Sequence, residues 1–280
     1  MSNTTTINSE LISSLVAGAQ YQAYEASMAR TLAQVYDLPN GTGKTVTVPV
    51  WSAISAEVIS DESAATAKDT NTTSVTLTLA EHVVYHKITN MLRDSASADV
   101  FGQLGEQSGR AIAESVDTQL FAAFAGFAEG GPGANVALTT THIMKAAANL
   151  RAAKVTGPYF AVLNPKQAFA VKRELALNGG STIPALSNVG NEVLSSGYIG
   201  TVSGVAVYES GLVAIDGSGD AVGAVFGPGA LGHASRGTID LQTQYQAAAR
   251  ATDLVLTGVT GAGILNAAHG VKITSDATFA

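Results

Sequence analysis

Two stretches of this chain alternate Val or Leu with Thr, and a polar run separates them. Val46, Val48 and Val50 interleave with Thr45 and Thr47, and Val75, Leu77 and Leu79 with Thr76 and Thr78. Period-two placement of β-branched residues predicts strands over 44–60 and 74–91. The run between them, DESAATAKDTNTT from Asp61 to Thr73, has no large apolar side chain. The whole therefore reads as one long hairpin, with about 17 residues per arm at ~3.3 Å each giving a reach of roughly 55 Å. A compact domain of some 200 residues is only ~35–40 Å across, so part of the ribbon must project. A two-stranded ribbon is marginal alone in water, so its apolar side needs a cover, either its own domain or another subunit. Val46, Val48, Val75, Leu77 and Leu79 are the candidate subunit-interface residues. Asp61 and Glu62 read most simply as solvated carboxylates, with a basic group of a neighbour as the alternative.

Composition narrows what such a ribbon serves. Only 13% of the 280 residues are charged, about half the usual share for a soluble domain, and the net charge is −7. A weakly charged, acidic surface argues against a protein that grips phosphate backbone and for one that meets copies of itself. The mean hydropathy of +0.22 excludes general disorder. Zero cysteines remove disulfides, thiol catalysis and Cys-ligated zinc. The first ten residues, MSNTTTINSE, form no secretory signal, and no apolar run approaches membrane-spanning length. A soluble protein is expected.

The rest of the chain divides by period. Ile7, Leu11, Leu15, Ala19 and Ala23 repeat at i+4, and Met28, Leu32 and Val35 extend a helical stripe to Pro39. Val100, Leu104, Ser108, Ile112, Val116, Leu120 and Phe124 keep the same spacing across a predicted helix over 94–127. Gly102, Gly105 and Gly109 inside it each cost up to about 1 kcal/mol of helix propensity, which predicts another backbone passing close on that side and makes them candidate subunit-interface residues. Downstream, helices are expected from Thr139 or Thr141 to Lys154 and from Lys166 to Leu177. Strands are expected at Tyr159–Leu163, Val202–Glu209, Ala221–Phe226, Ile239–Tyr245, Leu254–Thr257 and Ala262–Ala267. The fold class is α+β.

Motifs that would carry chemistry fail on context. Gly227–Gly232 matches G-x-G-x-x-G after a strand, yet a strand-like pattern rather than a helix follows, so the cofactor reading is weak. Gly41-Thr42-Gly43-Lys44-Thr45 ends like a phosphate-binding loop, but Leu38 stands where its first glycine belongs and a strand follows. His82 and His86 are four apart on a predicted strand, with no third ligand nearby in sequence. His142, His233 and His269 stand alone, and Asp216 and Asp220 read as solvated loop carboxylates. No catalytic, cofactor-binding or metal residue is assigned.

The order of arm (1–40), extended loop (41–92) and long helix (94–127) resembles the major capsid proteins of tailed bacteriophages with the HK97-like fold. YFAVLNPKQAFAVKREL (Tyr159 to Leu175) resembles that family's entry into its axial domain, and SGVAVYES (Ser203 to Ser210) its Gly-Val-x-Val segment. GAVFGPGALGHASRG (Gly223 to Gly237) resembles its returning segment, and Ala247 to Ile273 its last strands. The resemblance implies an arm at 1–40, an extended loop at 41–92, a peripheral domain with a spine helix at 93–155, an axial domain at 156–235 and a return to the periphery at 236–280. It implies a self-assembling shell of pentamers and hexamers around double-stranded DNA, bound without sequence specificity. That shell would be a virion component assembled in the host cytoplasm, without cofactor or membrane. Separate scaffolding, portal and decoration proteins are the implied partners, and no N-terminal scaffolding domain is expected. Some members weld subunits through a loop Lys and a peripheral Asn. Lys68 and Asn266 are placed for those parts, with a solvated tip lysine as the simpler reading. The other readings are a tail-tube or surface-layer protein, and then a nucleotide-dependent enzyme using Gly227–Gly232.

Overall fold

A computed structural model describes residues 19, 27–39, 43–51, 54, 56–59, 61, 64–68, 72–95, 99–178 and 200–278. The expected i+4 stripe at the N-terminus falls outside these residues, apart from Ala19, which is helical and buried. The stripe's continuation ends early. A short helix α1 (Ala29–Leu32) gives way to strand β1 (Gln34–Leu38), so Val35 lies in a strand rather than a helix. The reason is pairing: β1 runs parallel to a long strand from far downstream, Gln34 opposite Gly232 through Leu38 opposite Arg236.

That long strand, β10 (Leu231–Gln246), pairs antiparallel with β11 (Ala251–Ile264), which pairs with β4 (Ala80–Thr89). The sheet order is β1-β10-β11-β4. Sequence reading divided β11 into two strands and caught only part of β10. Glycines within β11 break its hydrophobic signal without breaking its ladder.

The predicted long helix is present as α3 (Asp99–Ala122), preceded by α2 (Asn90–Ser95) and closed by a 3₁₀ turn, Ala123–Gly126. At ~1.5 Å per residue it is a rod of roughly 36 Å. Its i+4 stripe does what the spacing predicts: Ser108, Ile112, Val116, Leu120 and Phe124 are all buried. Ile112 packs with Leu254 and Leu256 of β11 and Ile88 of β4.

The second sheet has six strands in the order β5-β12-β9-β6-β8-β7. These are β5 (Ala128–Glu129), β6 (Tyr159–Leu163), β7 (Thr201–Val202), β8 (Val205–Glu209), β9 (Asp220–Phe226) and β12 (Gly270–Asp276). Helices α4 (Thr140–Ala152) and α5 (Pro165–Asn178) cover one face through Ile143, Leu150, Ala168 and Val171, which meet Ala161, Val225 and Ile273. The alternate residues Val162, Ala224 and Phe226 point the other way, into Leu120, Phe121 and Phe124 at the end of the rod. α3 thus serves both sheets, its middle on the first and its end on the second. β12 pairs with β9 in the six-stranded sheet, so the segment 236–280 is shared between the sheets rather than confined to one.

Candidate assembly interface

The ribbon is shorter in its pairing than alternation suggests. β2 (Thr45–Trp51) and β3 (Thr72–Thr78) pair from Thr45 opposite Thr78 to Trp51 opposite Thr72. Seven residues per strand span roughly 23 Å, less than half the expected reach. The second expected arm is two strands, because the chain leaves the ribbon after Leu79 and continues as β4 in the four-stranded sheet. Alternation runs unbroken through this exchange, so it cannot report the change of partner.

The base of the ribbon is covered from within the chain. Leu77 and Leu79 are buried with Ala234 and Leu265, and Val46, Val48, Tyr36 and Val259 pack around them. Since Ala234 and His233 are neighbours on a strand, this cluster lies on the face of the four-stranded sheet opposite the rod. Leu77 and Leu79, expected at a subunit interface, are instead covered from within their own chain, because the ribbon base folds back onto the four-stranded sheet. Val75, paired with Val48 farther out, is half-buried.

From the last pair outward the surface changes character. Trp51 is 66% exposed, Ile54 62%, Val58 98% and Ile59 47%. Trp51 closes β2, and Ile54, Val58 and Ile59 follow on a segment that carries no strand in its described residues; the four form an apolar approach to the polar tip. Sequence reasoning missed it, having treated apolar positions in 44–60 as a buried face. The available signal was that no large apolar side chain in Asp61–Thr73 could pair with them. Asp61 and Lys68 are exposed at the tip; Glu62 lies outside the described residues. Asn266 is half-buried, and its side-chain oxygen accepts from the Ala268 amide, capping a 3₁₀ turn.

The predicted close backbone on the rod is found at Gly109. A Cβ there would meet the Ala19 carbonyl oxygen and lie 2.9 Å from the Ala19 Cα, so the approaching backbone is the chain's own arm. Gly105 is buried as well; the surroundings of Gly102 lie outside the described residues.

The histidines are mostly structural. Ser108 donates its hydroxyl to the Leu104 carbonyl (2.6 Å), so His86 Nε2, 2.8 Å away, must donate to Ser108. His82 Nδ1 lies 2.7 Å from Ser115 Oγ, a second tie between β4 and the rod. His142 shares a capping box with Thr139 at the start of α4. His269 Nδ1 donates to the Pro228 carbonyl at 2.9 Å. Asp216 accepts the Ser218 and Asp220 amides, and Asp220, read as solvated, is buried and accepts the Asn135 amide at 2.7 Å. Among the described residues no three His, Cys, Asp or Glu side chains converge as for a metal.

The two glycine-bearing loops each run into a strand. Gly227–Gly232 leads into strand β10 and carries the chain from one sheet to the other, with Gly229 at φ +72°. Among the described residues the element that follows it is a strand and not a helix. Lys44 leads into β2, while Gly41 and Thr42 lie outside the described residues.

Solved structures share this arrangement. The capsid of a native GTA particle matches with a TM-score of 0.66 at 12% identity, covering 90% of each chain. The capsid of cyanophage P-SCSP1u matches at 0.64 and 15%, covering 89% of this chain and 88% of that one. The head of Helicobacter pylori bacteriophage KHP40 matches at 0.65 and 12%, covering 87% and 88%. None of the curated protein sequences matches. The arm, ribbon, rod and two sheets therefore define a capsid-type structural fold. A family model described as phage capsid protein matches residues 72–273, and the chain belongs to that family. It is a major capsid protein, a self-assembling structural component of a virion shell. No helix among the described residues is long and apolar enough to cross a membrane.

Proposed function

We propose that subunits of this protein join as pentamers and hexamers, with the six-stranded region toward the axes. In this reading the distal ribbon, residues 51–71, lies across a neighbouring subunit as a strap. The observation that carries it is the apolar approach, Trp51, Ile54, Val58 and Ile59, which stays exposed although the ribbon base is buried. Exposed apolar residues clustered in this way mark contact surfaces. Leu77, Leu79, Val46 and Val48 then anchor the strap, while Val75, Asp61, Glu62 and Lys68 meet the neighbour. Gly102 and Gly105 are assigned to the same kind of close packing along the rod.

The shell encloses double-stranded DNA without reading its sequence, and it assembles in the host cytoplasm. A net charge of −7 suits a container that must release its cargo. Scaffolding, portal and decoration proteins are supplied as separate chains, and the subunit performs no catalysis. Electron microscopy of the purified protein tests the reading. Round closed particles are expected. Tubes or flat sheets would replace it with a tail-tube or surface-layer role, and particles that stay dispersed at every concentration would contradict self-assembly.

A further inference from the structure

Four of the five histidines have a hydrogen-bond partner named above; His233 is the exception. It is 2% exposed, and neither its Nδ1 nor Thr260 Oγ1 has a hydrogen-bond partner in the structure. Strand register places His233 and Ser235 of β10, Thr260 of β11 and His82 of β4 on the face that receives the rod. A cavity of about 60 Å³ lies there, bordered by His233, Thr260, Val116 of the rod, and Ser27 and Arg30 of the arm. That volume admits a few water molecules at roughly 10–15 Å³ each. β10 shifts register beside it, between Arg236 and Asp240.

The arm forms one wall and is held by polar contacts close to the histidine. Asp117 of α3 accepts from Ser27 Oγ at 2.8 Å and from the Met28 amide at 2.9 Å. Ser235 Oγ donates to Asp37 of β1. Charged and titratable groups face His233 from every packed element: Arg30 of α1, Asp37 of β1, Asp117 of α3 and His82 of β4.

We propose that His233 is an acid-operated release for the arm, whose neutral ring keeps residues 27–38 seated and whose protonation loosens them. Burial holds the ring below the ordinary 6.5 and Arg30 and His82 add to this, while Asp37 and Asp117 oppose it. A base depressed in the closed state binds its proton more readily when the arm is open. Closure is therefore unaffected above about pH 6.5 and is progressively disfavoured below it. Acid thus acts on the arm first, because the arm is the wall made of a four-residue helix and a five-residue edge strand. The inference does not depend on how subunits assemble.

Hydrogen–deuterium exchange on the full chain at about pH 8 and about pH 5.5 tests it, both conditions lying above the ordinary carboxylate range. After correction for intrinsic rates, amides of 27–38 should exchange roughly tenfold faster in acid, with those of Tyr159–Leu163 unchanged. In His233→Gln that acid effect should vanish. In Asp37→Asn, which removes a carboxylate favouring the charged ring in the closed arm, the onset near pH 6.5 should stay while the acid effect is at least as large and levels off only at lower pH. The Asp37→Asn arm decides the matter should the glutamine variant not fold. An arm indifferent to pH would overturn the proposal. So would an acid effect that survives in His233→Gln but disappears in His82→Gln, or one that is smaller in Asp37→Asn than in the parent.

Discussion

Gly109 and Gly261 mark two places where backbones cross too closely for any side chain. A Cβ on Gly109 would strike the arm at Ala19, and one on Gly261 would lie 2.9 Å from the Thr78 carbonyl carbon and 3.2 Å from the Leu79 Cα. The first crossing seats the arm on the rod, and the second seats the ribbon base on the sheet. Opposing terms decide the outcome of substitution. Gly109→Ala gains up to about 1 kcal/mol of helix propensity. The clash with backbone, which cannot swing aside as a flexible side chain would, costs about 1–3 kcal/mol. A net loss is expected, read as a lower urea midpoint with unchanged slope. A raised midpoint would show that the arm does not press on this face. Sequence reading could flag Gly109 as a close approach but not name Ala19, because spacing along a helix reveals which face is crowded and not by what.

Among the elements, α3 does the most to join the two sheets. Phe124 at its end is fully buried and stacks among Phe121, Phe127 and Phe226 with ring centroids 5.4, 6.4 and 5.8 Å away. Phe124→Ala should therefore cost about 3–5 kcal/mol. A loss below about 1 kcal/mol in urea denaturation would contradict its role as the junction. This element was legible, since its i+4 run predicted the buried stripe residue by residue. Tyr159–Leu163 and the helix after it were equally legible, being short, uninterrupted and closed by Asn164-Pro165. The ribbon was half legible. Thr–Val alternation gives a strand and its faces, yet it cannot tell β3 from β4, whose partners differ on either side of Leu79. Val35 was misread because Met28, Leu32 and Val35 fit a helical stripe, whereas the parallel pairing with β10 lies almost two hundred residues away.

At the scale of the whole molecule, the chain buries its ribbon base and leaves the outer ribbon bare. A monomer has no reason to keep Trp51, Ile54, Val58 and Ile59 in water, and four such exposed side chains within nine positions invite association. The low charge of the chain removes the repulsion that would otherwise oppose it. The end of the β2–β3 pairing also marks where the outer ribbon can be shortened with least harm to the fold. Pairing ends at Trp51 opposite Thr72, and both Leu77 and Leu79 lie inside that limit. Replacing residues 52–71 by Asn-Gly closes β2 and β3 with a two-residue turn in their native register. Circular dichroism and a melting point close to those of the parent would establish that the subunit still folds. Particle size by electron microscopy and light scattering is then the decisive measurement. Monomers or small rings are the predicted result, and full-size closed shells built from the shortened subunit would contradict the claim that the ribbon straps neighbours together.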